Sequence, residues 1–397
     1  MSTGTSRRYG ISRTVVVLGI VSLLTDISSE GIYPLIPLFL VNVLHAQAVS
    51  VGLIEGIAES TASIVRIFSG WLSDVIGGRK WITTAGYALS TVSKPFLSVT
   101  TSWHQVFAIR FADRLGKGIR SAPRDALIAD VTPAESRGIS FGFHRAMDTV
   151  GAVTGPLIAF WLLRSMGMDY RRLFLLSAIP AVLAVVIIIF FVRERARVRT
   201  GEAPPSLSLR GFGVPFKKFL FVATLFSFGN SSDVFLILRA QNLGISVGKI
   251  LLIYVLFNSV EATLATAAGA VSDRLGRRNV ILAGYLVFAA VYAGFGFARH
   301  PAEIWVLFAF YGLYNSLTSG VQKAFATDLV SAGMRGTGLG AYHMLTGIAL
   351  LPASVIAGYL WDKVNPSAPF YYGAAVALVA ALMLAVLFRG SATYTDT

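Results

Sequence analysis

The stretch Gly269–Arg278, with the sequence GAVSDRLGRR, has a near copy at Gly70–Lys80, GWLSDVIGGRK, 199 residues earlier. Two further pairs of segments recur in the same order, at offsets of 198 and 203 residues: Arg137–His144 with Arg335–Tyr342, and Ser28–Glu30 with Ser231–Asp233. Three matches at a nearly constant offset indicate that the chain arose by duplication of one unit. The sequence therefore predicts two equivalent halves of similar fold.

The composition predicts a protein embedded in a lipid bilayer. Of the 397 residues, 55% are hydrophobic and only 14% are charged, and the mean hydropathy is +0.67. A soluble globular protein has about 45–50% apolar and about 25% charged residues. Because one crossing takes about 20 residues, twelve crossings would use about 240 and leave no room for a large domain outside the membrane.

Charge and ligand-forming residues exclude several other classes of protein. The net charge of +14 could indicate nucleic-acid binding in a soluble protein, but in so apolar a chain membrane topology explains it better. The chain has no cysteine, which excludes disulfides, thiolate metal sites and thiol catalysis, and five histidines cannot form a dense metal cluster. We therefore expect no metal site, no cofactor, no nucleic-acid partner and no enzymatic activity.

Hydropathy predicts twelve membrane-spanning helices, with one long polar connection after the sixth. The predicted spans are 14–44, 49–73, 81–101, 104–128, 138–163, 171–192, 217–242, 247–272, 279–299, 302–328, 338–361 and 370–388. The connection contains charged residues, serines and Pro204–Pro205, a composition typical of a linker. We expect an N-terminal six-helix bundle at residues 1–192, a cytoplasmic linker at 193–216 and a C-terminal six-helix bundle at 217–397.

The loops on the two sides of the predicted membrane differ in positive charge. The side that carries the N-terminal tail and the linker has 18 Lys and Arg residues, whereas the other side has six. Because loops rich in Lys and Arg stay in the cytoplasm, both termini are expected there, with the protein in the inner (plasma) membrane. Residues 1–13 form a short basic tail that does not resemble a cleaved export signal.

The repeated loop carries a resemblance to a known family. The chain resembles the major facilitator superfamily of transporters over essentially its full length, with the loop pattern G-x-x-x-D-R/K-x-G-R-R/K after the second helix of each half. The second copy fits at every position: Gly269, Asp273, Arg274, Gly276, Arg277 and Arg278. The resemblance implies two six-helix bundles with a substrate site between them, and it implies that this loop latches the bundles on the cytoplasmic side when the carrier faces outward.

The first copy of the loop departs from the pattern. Gly70, Asp74 and Gly77 fit, but Val75 replaces a basic residue, and Arg79 and Lys80 come one position late. The departure leaves the partners of Arg79 open. The family resemblance still implies a gating role for this loop.

A second resemblance lies in the fifth predicted span. Gly151, Gly155 and Pro156 resemble the GxxxGP core of the family's antiporter motif, although Leu157 and Ile158 replace the two glycines that would follow. Glycines four residues apart allow two helices to approach closely, and proline bends a helix. This resemblance implies an exporter.

The fourth predicted span holds the densest group of membrane-embedded charges. At about 100° per residue, five bases and one acid fall within about 120° of arc: Arg110, Asp113, Arg114, Lys117, Arg120 and Arg124. Because a charge at the centre of a membrane helix costs about 2.5–3.5 kcal/mol, this stripe must face protein or a water-filled cavity. Arg114 with Gly118 also resembles the family's fourth-helix arginine motif.

The stripe has two explanations, which the sequence leaves open. In one, the bases form an internal lattice of ion pairs with acids on neighbouring helices. In the other, part of the stripe lines the transport path, for which the candidates are Arg114, Lys117, Arg110, Asp113, His144, Arg145, Asp233 and Asn315, the last being the repeat equivalent of Lys117. Residues nearer the cytoplasm are assigned to the gate with the loop motifs: Arg120, Arg124, Asp125 and Asp130.

Carboxylates in the first half are candidates for proton coupling. A buried acid can exchange a proton near neutral pH when its basic partner moves between conformations. The candidates are Asp26, Glu30, Glu59 and Asp148. The hypothesis is that inward and outward states differ in which acid pairs with Arg114 or Lys117.

The nature of the transported compound is left open. The segment Asp113–Asp130 resembles a narrower group of prokaryotic facilitators that includes nickel-resistance permeases, but only His144 and His343 lie in predicted spans as imidazole ligands. A path for a hydrophobic compound could instead use aromatic side chains: Phe141, Phe143, Phe226, Phe228, Tyr254, Phe257, Tyr311 and Tyr314.

We expect a monomeric secondary carrier that works by alternating access and exports a small molecule in exchange for protons. One alternative is proton-coupled uptake of a small organic anion, gripped by Arg114 and Lys117. Another is a solute sensor of the same fold that does not transport. An enzyme is disfavoured because the chain has no HExxH, CxxC or GxxxxGK[ST] motif and no soluble domain.

Overall fold

The structure, a computed structural model, describes residues 11–76, 78–133, 136–192, 194, 211–331 and 334–389. Within these ranges every regular element is a helix. Most of the predicted linker 193–216 lies outside the described residues, as do Gly77 of the first loop motif and the ends of both tails.

The described residues form twelve helical rods, some of them broken once, and these rods confirm the spans predicted from hydropathy. In chain order they are α1 (Arg13–Ile32 and Leu35–Asn42), α2 (Ala48–Ile76), α3 (Lys80–Ser93 and the 3-10 helix Lys94–Val99), α4 (Trp103–Asp130), α5 (Arg137–Ser165), α6 (Tyr170–Leu176 and Ala178–Phe191), α7 (Val214–Gly229 and Val234–Asn242), α8 (Val247–Leu275), α9 (Arg277–Phe297), α10 (Pro301–Thr318 and Val321–Asp328), α11 (Arg335–Lys363) and α12 (Ala368–Leu387).

Ten of these rods, as the structure describes them, are long and apolar enough to cross a membrane. The other two are α3, which is divided between two helix types, and α4, which carries the charged stripe. Large apolar side chains cover the outside of the protein, and Trp161, Phe190, Phe297 and Leu382 each have more than half of their surface exposed. An apolar exterior of this kind matches the lipid chains of a bilayer.

The rods pack as two bundles that meet along two equivalent contacts. In the first half, α1 packs on α5 and α6, and α4 packs on α2 and α3; in the second half, α7 packs on α11 and α12, and α9 packs on α10 and α12. Between the halves, α2 packs on α11 and α5 packs on α8. Because α2 and α8 correspond in the repeat, as do α5 and α11, the two contacts are related by the duplication.

At one end of their contact, α2 and α11 lie so close together that no gap remains between their backbones. A Cβ built on Gly52 would lie 2.2 Å from the Ser354 carbonyl oxygen, and one built on Gly358 would lie 2.5 Å from Val49 Cα. Only glycine permits this approach of two backbones. We call this end the closed side, and the end that carries the two loop motifs the basic side.

Toward the basic side the helices of the two halves separate. A Cβ built on any of four glycines in the first turns of α5 and α11 would meet no atom within 4 Å: Gly138, Gly142, Gly336 and Gly340. These glycines occupy equivalent positions in the two halves. The cleft between the halves is therefore shut at the closed side and open at the basic side.

The two loop motifs make the same ion pairs in spite of their different sequences. Arg79 Nη2 lies 2.9 Å from Asp74 Oδ1, and Arg79 Nε lies 3.1 Å from Asp130 Oδ2. Arg277 repeats this arrangement with Asp273 at 3.7 Å and Asp328 at 2.7 Å. Although the first copy of the motif places Arg79 one position late, the side chain still reaches both equivalent acids.

The last basic residue of each loop binds the last helix of its own half. Lys80 Nζ donates to the Ile189 carbonyl oxygen at 2.8 Å, and Arg278 Nη2 donates to the Ala385 carbonyl oxygen at 2.8 Å. Within the second motif, Gly276 has φ +85°, a left-handed conformation that glycine adopts without steric cost. The loops thus fasten each bundle internally.

Candidate functional site

A polar cavity of about 260 Å³ lies between the two halves. Both halves line it: Glu30, Tyr33, Glu59, Arg114 and Lys117 from the first, and Asn230, Ser231, Ser232, Asp233, Tyr254 and Leu350 from the second. Leu350 is the only aliphatic side chain in this set. Five of the lining residues are charged, so the cavity suits a polar solute better than a hydrophobic one.

Four of the lining residues come from an interruption of α7. Residues 230–233 leave the helix between its two segments. Hydrogen bonds hold the interruption in place: Asn230 Nδ2 donates to the Tyr314 hydroxyl at 3.0 Å, and the Ser232 N–H donates to Ser354 Oγ at 3.1 Å. Interrupted helices of this kind commonly form the substrate site of secondary transporters.

Glu30 and Asp233, which are equivalent in the repeat, each accept a hydrogen bond from a tyrosine hydroxyl. The Tyr254 hydroxyl donates to Glu30 Oε2 at 2.8 Å, and the Tyr311 hydroxyl donates to Asp233 Oδ1 at 2.6 Å. The first of these bonds joins the two halves, because Glu30 belongs to α1 and Tyr254 to α8. The second lies within the second half.

Arg114 and Lys117 are the two basic residues of the cavity, and their surroundings differ. Arg114 Nε lies 3.3 Å from Glu59 Oε1 and 3.9 Å from Asp113 Oδ2, and the guanidinium lies over the ring of Tyr33. The ammonium of Lys117, three residues further along the same helix, has no hydrogen bond or ion pair with any residue that the structure describes, although the charges of Glu59 and Glu30 act on it. The cavity therefore contains one neutralised base and one base without a protein partner.

The rest of the stripe on α4 is buried in the first half. Arg110 donates to both oxygens of Glu55, at 2.8 and 2.7 Å, and both side chains are buried. Arg120 is also buried and donates to Ser90 Oγ at 2.6 Å on α3. The two explanations of the stripe thus apply to different residues: its ends form a lattice inside the bundle, and its middle faces the cavity.

Lys94 is a membrane-embedded base that the sequence analysis overlooked. It is buried on α3, and its ammonium donates to Ser28 Oγ at 3.0 Å and Ser29 Oγ at 2.7 Å. These serines precede Glu30 on α1. The sequence does indicate this residue, because Lys94 lies in the middle of the third predicted span. A charge embedded in the membrane usually has a function.

Two of the proton-coupling candidates, Glu30 and Glu59, line the cavity, whereas the other two lie deeper toward the basic side. Asp148 accepts a hydrogen bond from Ser22 Oγ and lies 3.5 Å from His144 Nδ1. Asp26 has no hydrogen bond or ion pair within the described part of the chain. It lies against Gly151 of the antiporter motif, where an added Cβ would come within 2.7 Å of Asp26 Cβ.

The remaining candidates lie around the open part of the cleft. Arg145 Nη2 lies 3.3 Å from Glu261 Oε1 and so joins α5 to α8. On the basic side of the stripe, Arg124 pairs with Asp125 at 2.9 Å. Asn315 is half-buried on α10 and is not among the residues that line the cavity.

The structure does not group the residues that metal binding or nucleophilic catalysis would need. Among the described residues, no three His, Cys, Asp or Glu side chains lie close enough together to hold a metal ion. One G-x-S-x-G spacing occurs at Gly138–Gly142, but it lies inside α5, and Ser140 is buried. A nucleophile elbow would instead need a strand-to-helix turn with an exposed serine.

The aromatic residues proposed for a hydrophobic path mostly pack inside the second half. Phe226 stacks on Tyr285 with ring centroids 3.9 Å apart, and Phe257 stacks on Tyr311 at 5.4 Å. Of the eight aromatic candidates, Tyr254 alone is among the cavity-lining residues.

Comparisons with known proteins agree with the fold and the repeat. A model of the Major Facilitator Superfamily matches residues 18–238 and again residues 219–396. An uncharacterized MFS-type transporter of Methanocaldococcus jannaschii is 34% identical over 380 residues, which are 94% of this chain and 94% of the relative. The cis,cis-muconate transport protein of Acinetobacter baylyi is 26% identical over 78% of this chain and 79% of its own length. A crystal structure of a mutant nucleoside transporter NupG superposes with a TM-score of 0.80 at 13% identity, covering 95% of this chain and 100% of that one.

Proposed function

Because this chain belongs to the Major Facilitator Superfamily, we propose that it is a proton-coupled secondary transporter of a small solute that carries an anionic group. The observation that carries the proposal is the difference between the two bases of the cavity. Arg114 is paired with Glu59, whereas Lys117 has no partner among the described residues. A base without a partner in a confined cavity is costly, and an anionic group would compensate it.

Glu59 supplies a means of coupling to protons. Its charged neighbours are Arg114, Lys117, Arg110 and Asp113. Protonation of Glu59 would abolish its ion pair and free the guanidinium of Arg114, which then faces the cavity beside Lys117. Two bases bind an anion more tightly than one, so proton and anion would bind together, as symport requires.

Alternating access would follow from the two interfaces between the halves. Rocking about the cavity would open the α2–α11 contact at the closed side and bring the basic ends of α5 and α11 together. With the basic loops in the cytoplasm, the open end of the cleft would face inward, and the carrier would act as a monomer in the inner membrane. The A. baylyi relative, which is named for the transport of a carboxylate, supports an anionic cargo.

Proton-coupled efflux is a second candidate, favoured by one observation. Gly151 and Gly155 of the antiporter motif bring α5 against α1 at Asp26, an acid without a basic partner among the described residues. A solute that competes with a proton for Asp26 would be exchanged rather than co-transported. This candidate assigns coupling to Asp26 instead of Glu59.

The direction of proton movement separates the two candidates. The full chain is reconstituted in vesicles that contain a pH-sensitive dye, and small carboxylates are added outside. Symport acidifies the interior as the solute enters, whereas antiport makes it more alkaline. Glu59→Gln should retain solute exchange and lose the linked proton movement, while Glu303→Gln, an exposed glutamate at the closed-side end of α10, should behave as the unmodified protein. Alkalinisation by every active solute would overturn the symport proposal.

A further inference from the structure

In the cavity, Lys117 and Glu30 of the first half and Asp233 of the second half have no ion pair with any residue that the structure describes. Lys117 on α4 has no partner among the described residues. Asp233 on α7 accepts one hydrogen bond, from the Tyr311 hydroxyl. Among the residues that the structure describes, no basic side chain lies within ion-pair distance of Asp233. None of the cavity-lining residues of the second half is basic.

The acids of the first half lie close to its bases, whereas Asp233 does not lie near a base. Arg114 pairs with Glu59, and the charges of Glu59 and Glu30 both act on Lys117. The charged groups that act on Asp233 are themselves acids: Glu261, Glu59 and Glu30. A carboxylate offers about four acceptor positions, so the single bond from Tyr311 leaves Asp233 with capacity for a charged donor. Compensation of a confined charge requires an opposite charge and hydrogen bonds together.

From this arrangement we propose that the transported solute is a small zwitterion. Its anionic group would bind Lys117 in the first half, and its cationic group would bind Asp233 in the second. The inference rests on the proposed function and restricts the class of solute. Symport of an anion would need only Lys117 and Arg114, whereas a zwitterion also needs Asp233.

The cavity has room for such a solute. Its volume of about 260 Å³ is many times the space that one water molecule needs. An aliphatic amino acid with a short chain between its charged groups fits in this space.

A zwitterion would also couple binding to the movement of the halves. Because its two charged groups bind different bundles, the solute would hold α4 and α7 together across the cleft. An anion or an amine alone would bind one bundle and leave the other charge uncompensated. Binding energy that depends on both halves favours the state in which they are close.

The test is binding by calorimetry to the purified full chain in lipid nanodiscs. The probes are ω-amino acids from glycine to 6-aminohexanoate, each compared with the carboxylic acid and the alkylamine of the same chain length. We expect at least one amino acid to bind about tenfold or more tightly than both of its single-charge analogues, a difference of about 1.4 kcal/mol.

Two variants assign each charge of the solute to a residue. Lys117→Gln should remove the preference for the amino acid over the amine, and Asp233→Asn should remove its preference over the carboxylic acid. Lys323→Gln and Asp169→Asn, which change the same residue types outside the cavity, should keep the tenfold preference. Melting temperatures of all four variants show whether each remains folded.

The outcomes separate failure of this inference from failure of the proposed function. Equal binding of an amino acid and its matched carboxylic acid, or a preference that survives Asp233→Asn, overturns the zwitterion and leaves anion symport standing. The zwitterion inference is also overturned if none of the amino acids, carboxylic acids and alkylamines binds. The vesicle experiment, which measures solute-linked proton movement, then decides independently whether symport fails with it.

Discussion

Asp362, at the end of α11, accepts a hydrogen bond of 2.8 Å from the backbone N–H of Val49, in the first turn of α2. A second carboxylate oxygen accepts from the Ala48 N–H at 3.1 Å. The first N–H groups of a helix have no partner within it, and a negative charge there is favourable. A side chain of one half thus caps a helix of the other at the closed side of the cleft.

Loss of this cap is expected to open the closed side more often. Because replacing a capping side chain with alanine costs about 1 kcal/mol, Asp362→Ala should raise the population open at this side about fivefold. The chain has no cysteine, so a single cysteine placed at Gln241, beside Asp362, reports the change through its labelling rate. An unchanged rate in Asp362→Ala, measured against Asp362→Asn, which keeps an acceptor oxygen, would contradict the capping role.

The ion pair between Arg110 and Glu55 is expected to be required for folding. Glu55→Gln would leave the buried Arg110 with its longer contact to Asp113, at 3.4 Å. Because breaking a buried pair costs about 3–5 kcal/mol, this variant should have a markedly lower melting temperature. The matched control is Asp273→Asn, since Asp273 pairs with Arg277 at 3.7 Å and is largely exposed, and exposed pairs contribute only about 0–1 kcal/mol. Equal melting temperatures for the two variants would show that the Arg110 pair is dispensable.

The glycines of the antiporter motif are expected to act through packing. A Cβ at Gly155 would lie 2.8 Å from both the Gly31 backbone nitrogen and the Ile27 carbonyl oxygen. Gly155→Val should therefore force α5 away from α1, at a cost of about 1–3 kcal/mol. Gly142→Val, on the same helix but facing open space in this structure, is the control for folding. The melting temperature measures the difference, and a Gly155→Val protein as stable as Gly142→Val would rule out a close-packing role.

The pH dependence of flux is expected to identify the acid that carries the proton. Glu59 lies 3.3 Å from Arg114, so its protonation releases a base, whereas Asp26 has no such partner in the described chain. Uptake should rise as the pH falls on the loading side, and Glu59→Gln should flatten this profile while Asp26→Asn preserves it. Initial rates measured at a series of loading-side pH values decide the matter. A flat profile in Asp26→Asn with a normal one in Glu59→Gln would favour the efflux candidate.

Much of the fold could be predicted because its signals are local. Membrane crossings need long apolar segments whatever surrounds them, so the predicted second and fifth spans, 49–73 and 138–163, agree closely with the helices Ala48–Ile76 and Arg137–Ser165. The charged stripe likewise had to face inward, because lipid cannot solvate it.

The assignment of the stripe was less predictable, since helical periodicity gives the direction of a side chain but not its neighbours. Arg110 and Arg114 point almost the same way, yet Arg110 is held by Glu55 inside the bundle, and Arg114 reaches the cavity. Lys94 was predictable as a buried base, because it lies within the third predicted span. The partners of Arg79 could not be derived at all from a motif that is shifted by one residue.

The amino-acid sequence by itself determined the twelve helices, the duplication and the inward direction of the charges, because hydropathy, repetition and helical period are properties of consecutive residues. Only the tertiary structure decided which charges compensate one another and which remain facing the cavity. Lys117 and Asp233 are 116 positions apart, and no local pattern relates them. They share a cavity because the two bundles pack against each other and α7 is interrupted where they meet.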